Sequence, residues 1–220
     1  MFANEALRPG EQISVGSLTI LFTDLRGSTR IYREIGDAPA FGLVMSHFYI
    51  LRDAIAEEGG AIVKNIGDAV MAVFREPTAA LRAILRAQRA LARPPAGAGQ
   101  NLPARPLALK VGIHYGPCIA VTLNERLDYF GTTVNAASRL VELSNGTDVV
   151  MSSVVRRDPE IETMLAETGA NRSRVVIMPE GTTREAVGRR AEWLVEACKR
   201  EGFRYSPRLH IDLWGNRRGV

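Results

Sequence analysis

The chain has 220 residues, enough for one sizeable core or for one domain with an appendage, and its 46% hydrophobic and 24% charged content is that of a globular protein. No apolar run approaches the roughly 18–20 residues of a membrane span, and the N-terminus lacks a basic-then-apolar signal pattern, so no membrane partner and a cytoplasmic location are expected. The net charge of +4 is uneven: residues 169–220 hold 11 Lys and Arg against 6 Asp and Glu, and the remainder 17 against 18, which suggests two segments of different origin.

Residues 1–16 contain Pro9, Gly10 and Gly16 and read as a linker. An apolar strand is predicted at about 17–23. Phe41, Val44, Met45, Phe48, Leu51 and Ile55 recur at helical spacing over 39–58, and Gly59-Gly60 marks the helix stop. Two short strands at 61–66 and 69–74 flank Gly67-Asp68, a hairpin with a carboxylate at its tip. An alanine- and leucine-rich helix at 78–92 ends before Pro94-Pro95, and 94–106 reads as a surface loop. A strand pair is predicted at 108–115 and 118–123, turned at Gly116-Pro117. A helix at 132–144, a strand at 148–152 and a helix at 153–166 follow. This order predicts an α+β fold, a mostly antiparallel sheet covered by helices. Beyond residue 172 the pattern reads as strand, helix (183–200) and final strand (209–214), a βαβ unit. A lone βαβ unit buries little apolar surface against its ordering entropy, so it is expected to dock loosely rather than extend a shared sheet.

Cys118 and Cys198 form no metal-binding or redox spacing and are expected as reduced thiols. His47 and His114 lie within apolar patterns and are expected to be satisfied structural residues. The tail arginines are scattered without aromatic interleaving, so no nucleic-acid partner is expected.

Three segments carry chemistry. Leu21-Phe22-Thr23-Asp24-Leu25-Arg26-Gly27-Ser28-Thr29 and Lys64-Asn65-Ile66-Gly67-Asp68-Ala69-Val70 each bring a strand to a carboxylate beside a glycine. Such carboxylates can hold a divalent cation against phosphates, or simply form turns. The third, Asp128-Tyr129-Phe130-Gly131-Thr132-Thr133-Val134-Asn135-Ala136-Ala137-Ser138-Arg139, places Asn135 and Arg139 on one helix face. All three resemble the catalytic domain of class III nucleotidyl cyclases over about residues 15–165. The resemblance implies a nucleotidyl cyclase/ferredoxin-like domain at 17–168, although the closing strand hairpin usual in such domains is not visible. The stretches Met178-Pro179-Glu180-Gly181-Thr182-Thr183 and Ser206–Val220 resemble the C-terminal end of 7-carboxy-7-deazaguanine synthases, marking 169–220 as a separate tail. The three closely spaced cysteines of that radical chemistry are absent, so the tail alone cannot perform it.

The cyclase resemblance implies that Asp24 and Asp68 hold Mg²⁺ or Mn²⁺, two ions per site. Gly27, Ser28 and Thr29 lead into a helix whose N-terminal N–H groups suit a triphosphate. Lys64 and Asp128 align with the base-selecting pair. Lys is donor-only and ionised Asp acceptor-only, which complements adenine and mismatches guanine. Asn135 would hold the ribose, Arg139 would stabilise charge on the phosphate, and Arg126 would touch phosphate. The implied function is an adenylate cyclase converting ATP to cyclic AMP and pyrophosphate. Its homodimer would share sites, the metal-binding aspartates coming from one protomer and the other residues from its partner. The alternative is a non-catalytic fusion or truncation product that dimerises or binds nucleotide only. The start at Met1-Phe2-Ala3-Asn4 resembles an interior linker and suggests an upstream regulatory domain outside this chain.

Overall fold

A computed structural model describes residues 13–93, 106–123, 126–158 and 160–216. In chain order the elements are β1 (Ile13–Leu25), α1 (Ser28–Ile35), α2 (Asp37–Glu57), β2 (Ala61–Ile66), β3 (Ala69–Phe74), α3 (Pro77–Leu91), β4 (Leu109–Leu123) and β5 (Arg126–Phe130). Then come α4 (Thr132–Leu143), β6 (Val149–Ser152), α5 (Ser153–Arg156), α6 (Glu160–Glu167), β7 (Val175–Met178), α7 (Arg184–Glu201), β8 (Arg204–Tyr205) and α8 (Leu209–Trp214). The strands form one sheet, ordered β2-β3-β1-β4-β6-β7-β8, with β5 also paired to β4.

The α+β expectation holds, with a mixed sheet. The β2–β3, β1–β3, β1–β4 and β4–β5 pairs are antiparallel; β4–β6, β6–β7 and β7–β8 are parallel. Alternate side chains of a strand face opposite sides, and both sides are covered here. Leu21, Val70 and Ala72 join Leu51, Ile55, Leu81, Ile84, Ile113 and Met151 in the main core. Ile20, Phe22, Met71 and Val73 face the other way, against Tyr129, Ala137 and Val141.

Strand β4 corrects the expected pair at 108–115 and 118–123. It runs unbroken from Leu109 to Leu123 along β1, with Leu18 opposite Gly116 and Ser17 opposite Pro117. The Pro117 carbonyl accepts a hydrogen bond from the Thr133 hydroxyl of α4, so it faces away from β1. A strand residue's N–H and C=O point to the same edge, so the donor that proline lacks is missing from an edge with no ladder bond to lose. Glycine and proline mark a turn by default; here they mark the gap between β6, paired at Gly112 and Ile113, and β5, paired from Ile119.

Other boundaries shift for local reasons. Residues 13–16 of the expected linker begin β1, and residues 1–12 lie outside the described residues, as do 94–105 of the proline-rich loop. The helix expected at 153–166 is split into α5 and α6 around position 159, a proline in the sequence, where the preceding residue is steered away from helical geometry.

The tail departs most from expectation. It continues the sheet: Val175, Val176, Ile177 and Met178 pair with Val149, Val150, Met151 and Ser152. Ile177, Leu194, Cys198 and Phe203 belong to the main core. Polar contacts reinforce the joint. Arg204 bonds Asp148 at 2.5 Å, Arg156 pairs with Glu201 and Glu162, and Arg172 pairs with Glu162 at 2.6 Å. Both Arg156 and Arg172 lie over the Phe203 ring. The expected final strand at 209–214 is the helix α8; the last strand is Arg204–Tyr205. The alternation Leu209, Ile211, Leu213 mimics a strand with one apolar face, yet of the three only Ile211 is buried, so no such face is being sheltered. Among the described residues, no helix is long and apolar enough to cross a membrane.

Candidate functional site

Asp24 is the penultimate residue of β1, and Asp68 follows Gly67 in the turn joining β2 to β3. Gly67 has φ of 63°, a left-handed conformation that disfavours other side chains and lets the two strands reverse within two residues. The last β1–β3 pair is Thr23 with Val70, so both carboxylates emerge at the same end of the sheet. Burial and the charge of Asp68 raise the pKa of Asp24, while Lys110 opposes them from 3.7 Å. The Asp68 Oδ2 atom is buried with no hydrogen-bond partner. Two neighbouring carboxylates, one with an orphaned oxygen, form a donor set suited to a hard divalent cation. Among the described residues no group of three or more His, Cys, Asp or Glu side chains gathers for a metal, so further ligands would come from substrate oxygens or water.

Beyond Asp24, Gly27 takes φ of 73° and starts α1 at Ser28 and Thr29. Arg26 anchors this turn by donating its backbone N–H to Ala108 and its guanidinium to the Asn145 carbonyl. A cavity of about 280 Å³ opens beside it, lined by Arg26, Gly27 and Arg30. A larger one of about 460 Å³ lies away from the carboxylates, between Thr182–Glu185 and Leu213–Asn216 of the tail.

Lys64 and Asp128 lie 64 residues apart, yet the Lys64 ammonium donates to Asp128 Oδ2 at 2.6 Å. The register shift between Ile62 and Lys64 marks a bulge, which re-aims the side chains after it. The other Asp128 oxygen accepts the Tyr129 N–H at 2.8 Å, fixing the carboxylate. Both side chains remain partly exposed. Arg126, two residues before Asp128 on β5, shares its face and is exposed.

Asn135 and Arg139 are exposed one turn apart on α4. The helix lies unusually close to the sheet. A Cβ at Gly112 would stand 2.4 Å from Val141 N and 2.6 Å from the Ala137 carbonyl oxygen, so only glycine admits this contact. With the Thr133–Pro117 bond, this close contact holds the helix in position.

Three features escaped sequence reasoning. Lys110 is paired with Asp24 through the β1–β4 register, which was readable only once β4 was known to run alongside β1. His114 behaves as expected, its Nδ1 lying 2.7 Å from Ser152 Oγ, but His47 does not. It is fully buried with no well-aligned hydrogen bond to either ring nitrogen, and burial lowers its pKa to about 4 against the opposing pulls of Asp68 and the Val44 backbone. Burial lowers the pKa values of Arg208 and His210 of the tail, and the charge of Arg139 adds to the effect on both, a relation no sequence spacing reports.

Comparison with known proteins follows this division. An adenylate cyclase of Neurospora crassa is 30% identical over 154 residues, covering 63% of this chain and 7% of that protein. The chain therefore spans only a small part of such relatives. The fold is similar to a bacterial light-regulated adenylyl cyclase, with a TM-score of 0.58 and 26% identity over 66% of this chain and 46% of that one. A 7-carboxy-7-deazaguanine synthase of Halobacterium salinarum is 41% identical over 64 residues, covering 26% of this chain and 25% of that protein. The family model for the adenylate and guanylate cyclase catalytic domain matches residues 11–173, and over that span the chain belongs to this family.

Proposed function

We propose that the chain is an adenylate cyclase catalytic domain, converting ATP to 3′,5′-cyclic AMP and pyrophosphate as a homodimer with sites shared between protomers. The observation that carries the choice of ATP is the Lys64–Asp128 contact of 2.6 Å. It places a fixed acceptor and a mobile donor side by side, the complement of adenine's exocyclic amine and N1. Guanine presents the opposite pattern and would leave both groups mismatched. The adenylate cyclase relatives support the same reading.

Asp24 and Asp68 would hold Mg²⁺ or Mn²⁺. When bound, such ions supply Lewis-acid activation of the ribose 3′-hydroxyl and neutralise the leaving pyrophosphate. The turn at Gly27-Ser28-Thr29 would receive triphosphate oxygens on backbone N–H groups. Asn135 would orient the ribose, and the planar guanidinium of Arg139 would stabilise charge on the α-phosphate as it is attacked. Arg126 would steady a phosphate from the strand that carries Asp128. In the shared arrangement, Asp24 and Asp68 face Lys64, Asp128, Asn135 and Arg139 of the partner. A monomer is then inactive.

Two experiments test this. Purified chain incubated with Mn²⁺ should cyclise ATP in preference to GTP by more than about tenfold, and Lys64→Glu with Asp128→Cys should erode the preference. Equal turnover of the two nucleotides would refute the base assignment. Mixing inactive Asp24→Ala and Arg139→Ala chains should restore activity through one intact mixed site; heterodimers that form without recovery would refute sharing. A second reading, nucleotide binding without turnover, draws on the parallel tail strands beside β6, where the family resemblance leads one to expect a closing hairpin. Saturable ATP binding with no cyclic AMP would establish it.

A further inference from the structure

Strands β6, β7 and β8 run parallel to one another and to the N-terminal half of β4, so the carboxyl ends of β6, β7 and β8 open on one edge of the sheet, beside the middle of β4. The crevice beyond such ends is the usual ligand position in open sheets with parallel strands. Polar groups gather there from every strand. His114 of β4 contacts Ser152 at the end of β6. Glu180, just past β7, accepts the Val154 N–H at 2.7 Å and the Ser153 hydroxyl at 3.3 Å. Arg208, just past β8, donates Nη1 to the Gly181 carbonyl at 2.9 Å, while its Nε is buried with no partner.

Helix α4 overhangs this edge: Leu140 packs against Val150, Val176 and Met178 of β6 and β7. Arg139, the residue before Leu140, is exposed, and Arg208 is bonded to Gly181 three residues past Met178, so the two guanidiniums approach this edge from α4 and from the tail, where their like charges oppose one another. Glu180 offsets part of the combined charge, but one of its oxygens is committed to α5. Two guanidiniums held near one another, one with an unused N–H, are electrostatically unfavourable alone and favourable around a shared anion. The guanidinium fork matches phosphate oxygens in geometry as well as charge.

We propose that Arg208, supplied by the C-terminal segment, and Arg139 of α4 form a two-arginine clamp for a phosphate-bearing anion at this edge. The clamp rests on the cyclase reading only for the source of the phosphate, which is either the nucleotide itself or a separate phosphorylated effector. On either source the tail is part of a binding site and more than a cover for the sheet.

The probe is inorganic pyrophosphate, titrated calorimetrically into the full chain in chelator-treated buffer, where no divalent ion can bridge it to Asp24 and Asp68. Arg208→Gln and Arg139→Gln should each weaken binding about tenfold, the loss of one charge-assisted hydrogen bond. The double variant should lose less than the product of the two, because both arginines hold one anion. Arg208→Lys, which keeps the charge without the fork, should fall between. Near-ultraviolet circular dichroism from Trp193 and Trp214 reports whether the tail stays folded, and Arg139→Gln, on an exposed helix face, tests the clamp without touching the tail. Displacement of pyrophosphate by an ATP analogue that cannot cyclise assigns the nucleotide as the source; simultaneous binding assigns a separate effector. No pyrophosphate binding by the wild type, wild-type affinity in Arg208→Gln, or weakening only where the tail has unfolded while Arg139→Gln binds normally would overturn the clamp. A chain that binds pyrophosphate through both arginines but makes no cyclic nucleotide keeps the clamp and loses the cyclase reading.

Discussion

His47 makes the stability of this protein depend on pH in a way that one substitution can isolate. It lies on α2 with no exposed surface, its ring next to Phe48, and neither nitrogen has a well-aligned hydrogen bond. Burial lowers its pKa from 6.5 to about 4. Because the folded-state value is the lower one, the unfolded chain takes up the proton first as pH falls. The contribution is complete above the unfolded pKa of 6.5 and is lost progressively as pH drops towards 4. The linkage relation gives a loss of about 2.5 kcal/mol by about pH 4.5, a large share of the 5–15 kcal/mol typical of a domain. His47→Leu removes the titrating group at similar volume. At about pH 7.5 it should match or exceed the wild type, since an unsatisfied buried polar group costs roughly 1–3 kcal/mol. Urea unfolding of both chains across this pH range then reads the difference directly, because every other titrating group is common to the two. The stability gap should widen in favour of His47→Leu by about 2.5 kcal/mol on acidification. A gap independent of pH would refute a neutral, buried His47.

Three further outcomes follow from the geometry. Lys110→Gln should tighten Mn²⁺ binding several-fold by calorimetry, because the ammonium 3.7 Å from Asp24 repels an incoming cation; weaker binding would mean that Lys110 orders the carboxylate instead. Gly112→Ala should destabilise the chain by about 3 kcal/mol in urea unfolding, since its methyl would overlap the backbone of α4, and an unchanged midpoint would contradict the close packing. Limited proteolysis should leave residues 167–173 uncut under native conditions, because β6 and β7 are paired and share a core; early release of a fragment ending there would show that the tail opens independently.

Local chemistry wrote much of the fold legibly. The hairpin strands at 61–66 and 69–74 match the observed bounds because a glycine turn between two apolar runs has few alternatives. The three motifs led to the family for a similar reason, since each joins a strand end to a functional side chain. What stayed hidden depends on distant partners. Gly116-Pro117 reads as a turn until β1 is laid beside it and Thr133 is seen to take the free carbonyl. The tail reads as an orphan unit until β6 offers it an edge. Residues 209–214 carry strand-like alternation that nothing packs against on one side, and the segment coils. Lys110 reached Asp24 by register and Arg208 reached the α4 edge by overhang, neither of which leaves a mark in spacing.

The parallel pairing of β7 with β6 also bears on the handling of shortened versions of this chain. Val149, Val150, Met151 and Ser152 are all buried, and β7 covers their outer edge. Cutting the chain ahead of β7 would leave a row of unsatisfied N–H and C=O groups on an apolar, uncharged strand, a template for pairing with other molecules. Fragments trimmed to the cyclase-like span are therefore expected to self-associate through that edge. Oligomers measured on them would report a sticky margin in place of the proposed shared-site interface.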